Sequence, residues 1–179
     1  QGMDQMMADI ASMGGELFVM DDGWFGDKYP RKNDSSSLGD WVVDKNKLPN
    51  GIEGLLSDAK KHGVKFGIWI EPEMANTTSE LYEKHPDWVL KASERDVVLG
   101  RGGTQVVLDL ANPAVQDFVF GVVDNLMTSY PEIDYIKWDA NMSVQNHGSQ
   151  YLTKDNQSHM YIEFHRGFEK ICQRIRARY

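Results

Sequence analysis

The feature that most constrains this chain is the alternation of helical segments with short apolar runs. Apolar residues recur at helical spacing in four segments, at 3–11, 52–59, 115–126 and 161–175. Between them lie apolar runs at 17–20, 65–70 and 134–138, a pattern typical of strands buried on both faces. This alternation predicts a parallel sheet covered by helices, either an open doubly wound sheet or part of an eightfold barrel.

Local signals set several boundaries of these elements. Gly63 is the expected C-terminal stop of the second helix, and a further helix is expected to begin near Thr77. Asn112 before Pro113 predicts a capped helix start, and residues 105–110 form a minor strand. No glycine-rich phosphate loop follows any strand, which weakens the nucleotide-binding form of the fold.

Charge and residue usage exclude several classes of partner and site. The net charge is −8 and no Lys/Arg cluster occurs, which argues against nucleic acid or an anionic membrane as the main partner. No segment is apolar for long enough to cross a membrane. Because Cys172 is the only cysteine, neither an internal disulfide nor a cysteine-based metal site is expected, and the five histidines show no metal-ligand spacing.

Carboxylates follow all three main apolar runs. They are Asp21 and Asp22 after the first, Glu71 and Glu73 after the second, and Asp139 after the third. Active sites of parallel α/β folds are built at these C-terminal strand ends. One acidic strand end is most simply a turn, but three in succession favour a binding or catalytic site.

Asp139 is the strongest candidate for a catalytic residue in this group. Lys137 and Asp139 are two residues apart on a strand and share one face, whereas Trp138 points to the other. Lys137 would keep Asp139 ionised, and an ionised carboxylate is what a glycosidase nucleophile needs. The alternative is an ion pair that only fixes the loop, and spacing alone favours neither interpretation.

The remaining candidates have the chemistry of sugar recognition. Asp21 and Asp22 can accept hydrogen bonds from sugar hydroxyls, although Asp-Gly also occurs in simple turns. Trp41 follows a long polar loop and is the best candidate for stacking on a sugar ring, whereas Trp69 is assigned to the core. Arg101 lies in a glycine-rich stretch that a ligand could approach, or it is a solvated loop residue.

Five ordered motifs resemble the α-galactosidases of glycoside hydrolase family 36. They are LFVMDDGWFG at 17–26, LGDW at 38–41, FGIWIEPEM at 66–74, DLANP at 109–113 and YIKWD at 135–139. Several ordered motifs at compatible spacing are far more specific than any one of them, and together they cover most of the chain.

The resemblance implies a (β/α)8 barrel of which this chain carries strands two to four. It also implies that Asp139 is the nucleophile and that Asp21 and Asp22 hold the 4- and 6-hydroxyls of galactose. Further contacts with the sugar in the first subsite are implied for Trp41, Arg101 and Lys137. The acid/base of the family is an aspartate on a later strand, outside residues 1–179. The family often has an arginine soon after the nucleophile, in a Trp-Asp-x-Asn-Arg pattern. Here Asn141 is followed by Met142 instead of an arginine.

The resulting expectation is a retaining exo-α-galactosidase that uses no metal or cofactor. Its substrates would be α-galactoside oligosaccharides of the raffinose and melibiose type, and the full-length enzyme would be a homo-oligomer. Residues 1–179 would form a partial catalytic barrel domain, a fragment of a longer chain. Two rivals are a metal-dependent barrel enzyme with Mg²⁺ on Asp21, Glu71 and Asp139, and a catalytically inactive carbohydrate-binding fragment.

Overall fold

The computed structural model describes residues 2–145 and 148–179. The helices are α1 (Gly2–Ser12), α2 (Gly51–His62), α3 (Glu80–Lys84), α4 (Pro113–Ser129) and α5 (Met160–Arg178). The strands are β1 (Leu17–Met20), β2 (Lys65–Ile70), β3 (Met74–Asn76), β4 (Gln105–Val107) and β5 (Tyr135–Trp138). Two 3-10 helices occupy Pro86–Trp88 and Lys154–His159. No helix in these two ranges is both long and apolar enough to span a membrane.

The main sheet is parallel and has the strand order β1-β2-β5. Leu17 pairs with Lys65 at one end of the β1–β2 ladder, and Ile70 pairs with Trp138 at one end of the β2–β5 ladder. The strands lie side by side in chain order, with α2 between β1 and β2 and α4 between β2 and β5. This confirms the predicted parallel α/β arrangement.

The two faces of the sheet differ in burial. Phe66, Ile68 and Ile70 are 0–1% exposed and pack in one core cluster with residues of α1, α2 and α4. On the opposite face Leu17 and Tyr135 are 37% and 49% exposed. A sheet covered by helices on one face only is typical of the wall of a barrel, whereas a doubly wound sheet has helices on both faces.

Burial of the strands departs from the sequence prediction. Of the three strands in the main sheet, only β2 is buried along nearly its whole length, whereas β1 and β5 are partly exposed. The reason is their position, because β2 is the central strand and the other two are edges. Gly67, in the middle of β2, allows the Tyr135 side chain to lie across it, since a Cβ at residue 67 would be 3.1 Å from that side chain.

A second, smaller unit is inserted between β2 and β5 along the chain. β4 covers only half of the predicted strand 105–110, and it pairs antiparallel with β3, a strand that the sequence analysis did not predict. The helix expected near Thr77 begins at Glu80, because the Ser79 hydroxyl caps it by accepting from the Tyr82 backbone N–H. This unit packs against α4 and α5 in a second core cluster.

The predicted helix boundaries on either side of β2 are confirmed. Gly63 ends α2 in the left-handed conformation, with φ of 70°. The Asn112 side chain accepts a hydrogen bond from the Ala114 backbone N–H, and Pro113 is the first residue of α4. These caps fix where the helices begin and end, and so they fix the path of the chain into β2 and out of the β4 segment.

Candidate active site

Carboxylates from all three strands of the main sheet meet at its C-terminal edge. The Lys137 ammonium is 2.7 Å from Asp21 Oδ2, so a side chain of β5 reaches across β2 to the end of β1. The Asp139 backbone N–H donates to the Ile70 carbonyl at 2.8 Å, which extends the β2–β5 ladder to the candidate nucleophile. The parallel ladders therefore bring Asp21, Lys137 and Asp139 to one place.

The Asp139 carboxylate is held by three hydrogen-bond donors. Its Oδ2 accepts from Asn141 Nδ2 at 2.7 Å and from Trp69 Nε1 at 3.0 Å, and its Oδ1 accepts from the Ala140 backbone N–H at 3.1 Å. Partial burial alone would raise the pKa of Asp139, but these hydrogen bonds and the charge of Lys137 outweigh it, and the pKa lies below its usual value. The group is thus ionised and fixed in orientation.

Lys137 has a different partner from the one that spacing indicated. Its ammonium hydrogen-bonds to Asp21, which raises the pKa of Lys137 and lowers that of Asp21. Among the influences on the pKa of Asp139, the charge of Lys137 comes after the hydrogen bonds. The sequence predicts that Lys137 keeps Asp139 ionised. Its charge does lower the pKa of Asp139, but the neutral donors bound to the carboxylate lower that pKa more.

Asp22 is bound by a residue that the sequence analysis missed. Arg31 Nε and Nη2 donate to the two Asp22 oxygens at 3.0 and 2.6 Å. Arg31 is only 4% exposed, and its Nη1 also donates to Asn76 Oδ1 at 3.0 Å. No periodicity or motif singles out an arginine within a polar loop, so only the fold reveals this bidentate pair.

The two glutamates after β2 point in different directions. Glu71 is 1% exposed and accepts from the Asn141 backbone N–H at 2.6 Å, beside Asp139. Glu73 accepts from Trp138 Nε1 at 2.7 Å, on the helix-covered side where Trp138 also contacts Phe168. Burial raises the pKa of both glutamates. Only Glu71 therefore belongs to the cluster around Asp139.

An aromatic cluster forms one wall beside these carboxylates. Trp69 is 2% exposed, which agrees with its assignment to the core. Its indole N–H also donates to Asp139, so Trp69 is both a core residue and part of the site. Trp41 is half-buried, and its ring centre lies 6.1 Å from that of Trp69. Its indole nitrogen is buried without a hydrogen-bond partner among the described residues.

Arg101 lies on a separate loop and contacts neither Asp139 nor Asp21. Its φ of 48° is in the left-handed region, between Gly100 and two further glycines with positive φ. Its guanidinium is 3.7 Å from Asp34 in an exposed ion pair. Its positive charge acts to lower the pKa of Glu71, although burial dominates that pKa. Arg101 is thus near the edge of the cluster, with its side chain open to solvent.

The side chains around Asp139 form hydrogen bonds and ion pairs with one another. Within residues 2–145 and 148–179, no group of three or more His, Cys, Asp or Glu side chains is arranged to hold a metal ion. Asp21 and Asp139 are instead engaged by Lys137, Trp69 and Asn141.

Comparisons with known proteins give a consistent assignment. The melibiase family model matches residues 1–179. The α-galactosidase AgaA of Geobacillus stearothermophilus is 41% identical over 169 residues, which are 94% of this chain and 22% of that protein. The chain therefore spans less than a quarter of the length of this relative.

Solved structures of similar proteins extend this agreement to the backbone. The glycoside hydrolase family 36 α-galactosidase AgaB from Geobacillus stearothermophilus has a TM-score of 0.92 at 38% identity, covering 100% of this chain and 24% of that one. AgaA from the same organism, in complex with raffinose, has a TM-score of 0.91 at 38% identity, covering 99% and 24%. Such α-galactosidases are TIM-barrel enzymes, and the mixed α/β content of this chain agrees with that fold. The match along the whole sequence shows that this chain belongs to the melibiase family, of the glycoside hydrolase family 36 type.

Proposed function

We propose that the protein containing this chain is a retaining exo-α-galactosidase in which residues 1–179 supply strands two to four of a (β/α)8 barrel. One observation carries the proposal. Asp139 lies at the C-terminal end of a parallel strand, with its pKa lowered and three donors fixing its carboxylate. An ionised, oriented carboxylate at a barrel mouth is suited to attack an anomeric carbon.

In the proposed reaction, an Asp139 oxygen forms a bond to the anomeric carbon of a terminal α-galactose. The bond from that carbon to the glycosidic oxygen breaks, and its electron pair leaves with the oxygen, which takes a proton from a carboxylic acid outside residues 1–179. Water deprotonated by the resulting carboxylate then attacks the same carbon and releases Asp139. In retaining enzymes the two carboxyl groups are about 5 Å apart. No cofactor is required by this sequence of steps.

The remaining candidates would bind the sugar. Asp21 and Asp22 follow β1 at the same edge of the sheet as Asp139, and we propose that they accept from the 4- and 6-hydroxyls of galactose. Lys137 is held beside Asp21 and can donate to a neighbouring hydroxyl. Trp41 and Arg101 complete the proposed first subsite, one beside Trp69 and the other from the glycine-rich loop.

The proposed substrates are α-galactoside oligosaccharides of the raffinose and melibiose type. Support comes from the similar AgaA structure, which was solved in complex with raffinose. The proposed full-length enzyme is a homo-oligomer. Since this chain is less than a quarter of its relatives' length, these properties refer to the longer protein.

The test uses the full-length enzyme with 4-nitrophenyl α-galactoside, with the β-galactoside as the matched control. We expect cleavage of the α-anomer only, release of galactose first seen as its α-anomer by NMR, and unchanged rates in EDTA. Equal or faster cleavage of the β-galactoside would contradict the assignment. Loss of activity in EDTA that Mg²⁺ restores would favour the metal-dependent alternative instead.

A further inference from the structure

One residue, Asn141, lies between the candidate nucleophile and a second, buried carboxylate. Its side-chain Nδ2 donates to Asp139 Oδ2 at 2.7 Å, and its backbone N–H donates to Glu71 Oε1 at 2.6 Å. Glu71 is 1% exposed and belongs to the neighbouring strand end. The chain that leaves β5 is therefore tied to the end of β2 at the second residue after Asp139.

We infer that Glu71 and Asn141 are positioning residues for the nucleophile: Glu71 fixes the backbone of Asn141, and the Asn141 amide then fixes the Asp139 carboxylate. This inference rests on the proposed function. It assigns to Asn141 a role in the reaction, through Asp139, and to Glu71 a role through Asn141.

The geometry argues against a direct chemical role for Glu71. A group that protonates a leaving oxygen must be within about 3 Å of it, in a space that substrate can enter. Glu71 is almost fully buried, and its Oε1 is already bound to the Asn141 N–H. A buried carboxylate is costly unless hydrogen bonds compensate, so a tight bond to the chain beside Asp139 explains why it is retained there.

The charges around Asp139 give Asn141 a second effect. The groups that face the Asp139 and Glu71 carboxylates are Lys137, Asp21 and Arg101, and the negative charge of Asp139 itself raises the pKa of Glu71. Two carboxylates this close repel each other, and Asn141 places one N–H donor against each of them. Donation to the ionised form lowers a carboxyl pKa, so Asn141 helps to keep Asp139 ionised.

The first experiment removes only the amide donor, with Asn141→Ala in the full-length enzyme. Asn141 is exposed, and we expect the fold to survive. We expect a loss on the order of ten-fold in kcat/KM, and an acid limb of its pH profile that moves to higher pH, because Asp139 loses a donor to its ionised form. The control is Asn125→Ala, the same change at an exposed position on α4, which should leave both unchanged.

A second readout isolates the attack by Asp139. A slowly turned-over fluorinated α-galactosyl fluoride forms a galactosyl-enzyme without needing acid help for its leaving group, and intact mass gives both the rate and the final labelled fraction. We expect Asn141→Ala to label slowly but to completion. A merely structural loss would instead lower the labelled fraction and leave the rate of the labelled molecules unchanged.

Glu71 is tested by a pair of variants and a double variant. Glu71→Ala removes the acceptor for the Asn141 N–H and should slow labelling, whereas Glu71→Gln keeps an acceptor oxygen there and should restore most of the rate. Glu71→Ala combined with Asn141→Ala should cost less than the product of the two separate losses, since Glu71 acts through Asn141. Glu53→Gln, on the exposed side of α2, is the control for the isosteric change.

The outcomes separate this inference from the proposed function. If wild-type enzyme forms no galactosyl-enzyme at Asp139, the proposed function fails and the inference with it. If wild type labels normally, an unshifted acid limb with a wild-type labelling rate in Asn141→Ala overturns the inference alone. The role of Glu71 is overturned if Glu71→Gln is as slow as Glu71→Ala, or if the double variant shows the full product of both losses.

Discussion

At the scale of single residues, the carboxylates of the site differ in the groups that donate hydrogen bonds to them. Asp139 accepts hydrogen bonds from neutral N–H groups, Asp21 accepts from the Lys137 ammonium, and Asp22 accepts from the Arg31 guanidinium. Cationic side chains hold the proposed sugar-binding carboxylates, whereas neutral N–H donors orient the carboxylate of the proposed nucleophile.

Asp139→Gly should abolish hydrolysis of α-galactosides by the full-length enzyme. Removing the nucleophile opens a space on the face from which it attacks, so an external anion can take its place. We expect azide to restore turnover of an activated aryl α-galactoside and to yield galactosyl azide with β-configuration, detected by NMR. Near-normal hydrolysis in this variant without azide would mean that Asp139 has a structural role only.

Arg31→Ala should weaken both the site and the fold. Arg31 is 4% exposed and bidentate to Asp22, so its loss leaves a partly buried carboxylate without its partner, at a cost on the order of 3 kcal/mol. We expect a lower thermal midpoint and a raised KM, with Arg31→Lys only partly restoring KM, because lysine cannot bind both oxygens in the same fork.

The matched control for Arg31 is Lys28→Ala in the same loop. Lys28 forms an exposed pair with Glu83, and such pairs contribute little to stability. We expect the control to match wild type in thermal midpoint and in KM. If Arg31→Ala behaves like this control, the Arg31–Asp22 pair does not organise the substrate site.

At the scale of elements, the sequence predicts those parts of the fold that local signals encode. The bounds of β2 at 65–70 and the start of α4 at Pro113 were predicted correctly, because apolar runs and caps act within a few residues. β3 was missed because it has only three residues, too few for any periodicity, and forms by pairing with a strand about thirty residues away.

The same distinction applies to the candidate site. Strand-end positions of Asp21 and Asp139 follow from the alternation of strands and helices. By contrast, Arg31 and Asn141 acquire their roles from contacts between distant segments, such as Arg31 with Asn76 and Asn141 with Glu71. Tertiary contacts of this kind leave no local pattern, so only the three-dimensional structure identifies them.

The docking of α5 onto the loop after β4 gives a test at this scale. A Cβ at Gly167 would lie 1.8 Å from the Leu110 carbonyl oxygen, a backbone atom that also accepts from Gln116 Nε2 at 2.8 Å. Gly167→Ala must therefore push α5 outward, and we expect a loss of about 1–3 kcal/mol in stability, measured by thermal and urea unfolding of the full-length enzyme.

The control for this prediction is Gly121→Ala on α4. Apart from its chain neighbours and the backbone of its own helix, no described atom lies within 4 Å of a Cβ built at Gly121, and alanine is favoured over glycine inside a helix. We expect unchanged or slightly raised stability, by roughly 0.5–1 kcal/mol. Equal effects of the two substitutions would show that the contact between Gly167 and Leu110 does not limit the packing of α5.

At the scale of the whole molecule, the parallel sheet has two unpaired edges and one partly open face. Among the described residues β1 and β5 each pair on one side only, and Leu17 and Tyr135 are exposed on the face away from the helices. The relatives are about four times longer than this chain. We propose that the remaining strands of a barrel cover these edges and this face, and that the second carboxyl group of the reaction comes with them.

Residues 1–179 expressed alone should therefore not hydrolyse α-galactosides. Unpaired strand edges promote association, and the exposed apolar face should bind a hydrophobic dye such as ANS. We expect an associated or poorly ordered species by size-exclusion chromatography and thermal unfolding, with no turnover of 4-nitrophenyl α-galactoside. Co-expression with the rest of the enzyme should restore activity, because the missing strands then complete the barrel.

A cooperatively unfolding monomer with enzyme-like turnover would place the second carboxyl group within these residues. Glu71 would then be the first to substitute, since Glu73 faces Trp138 and the helices.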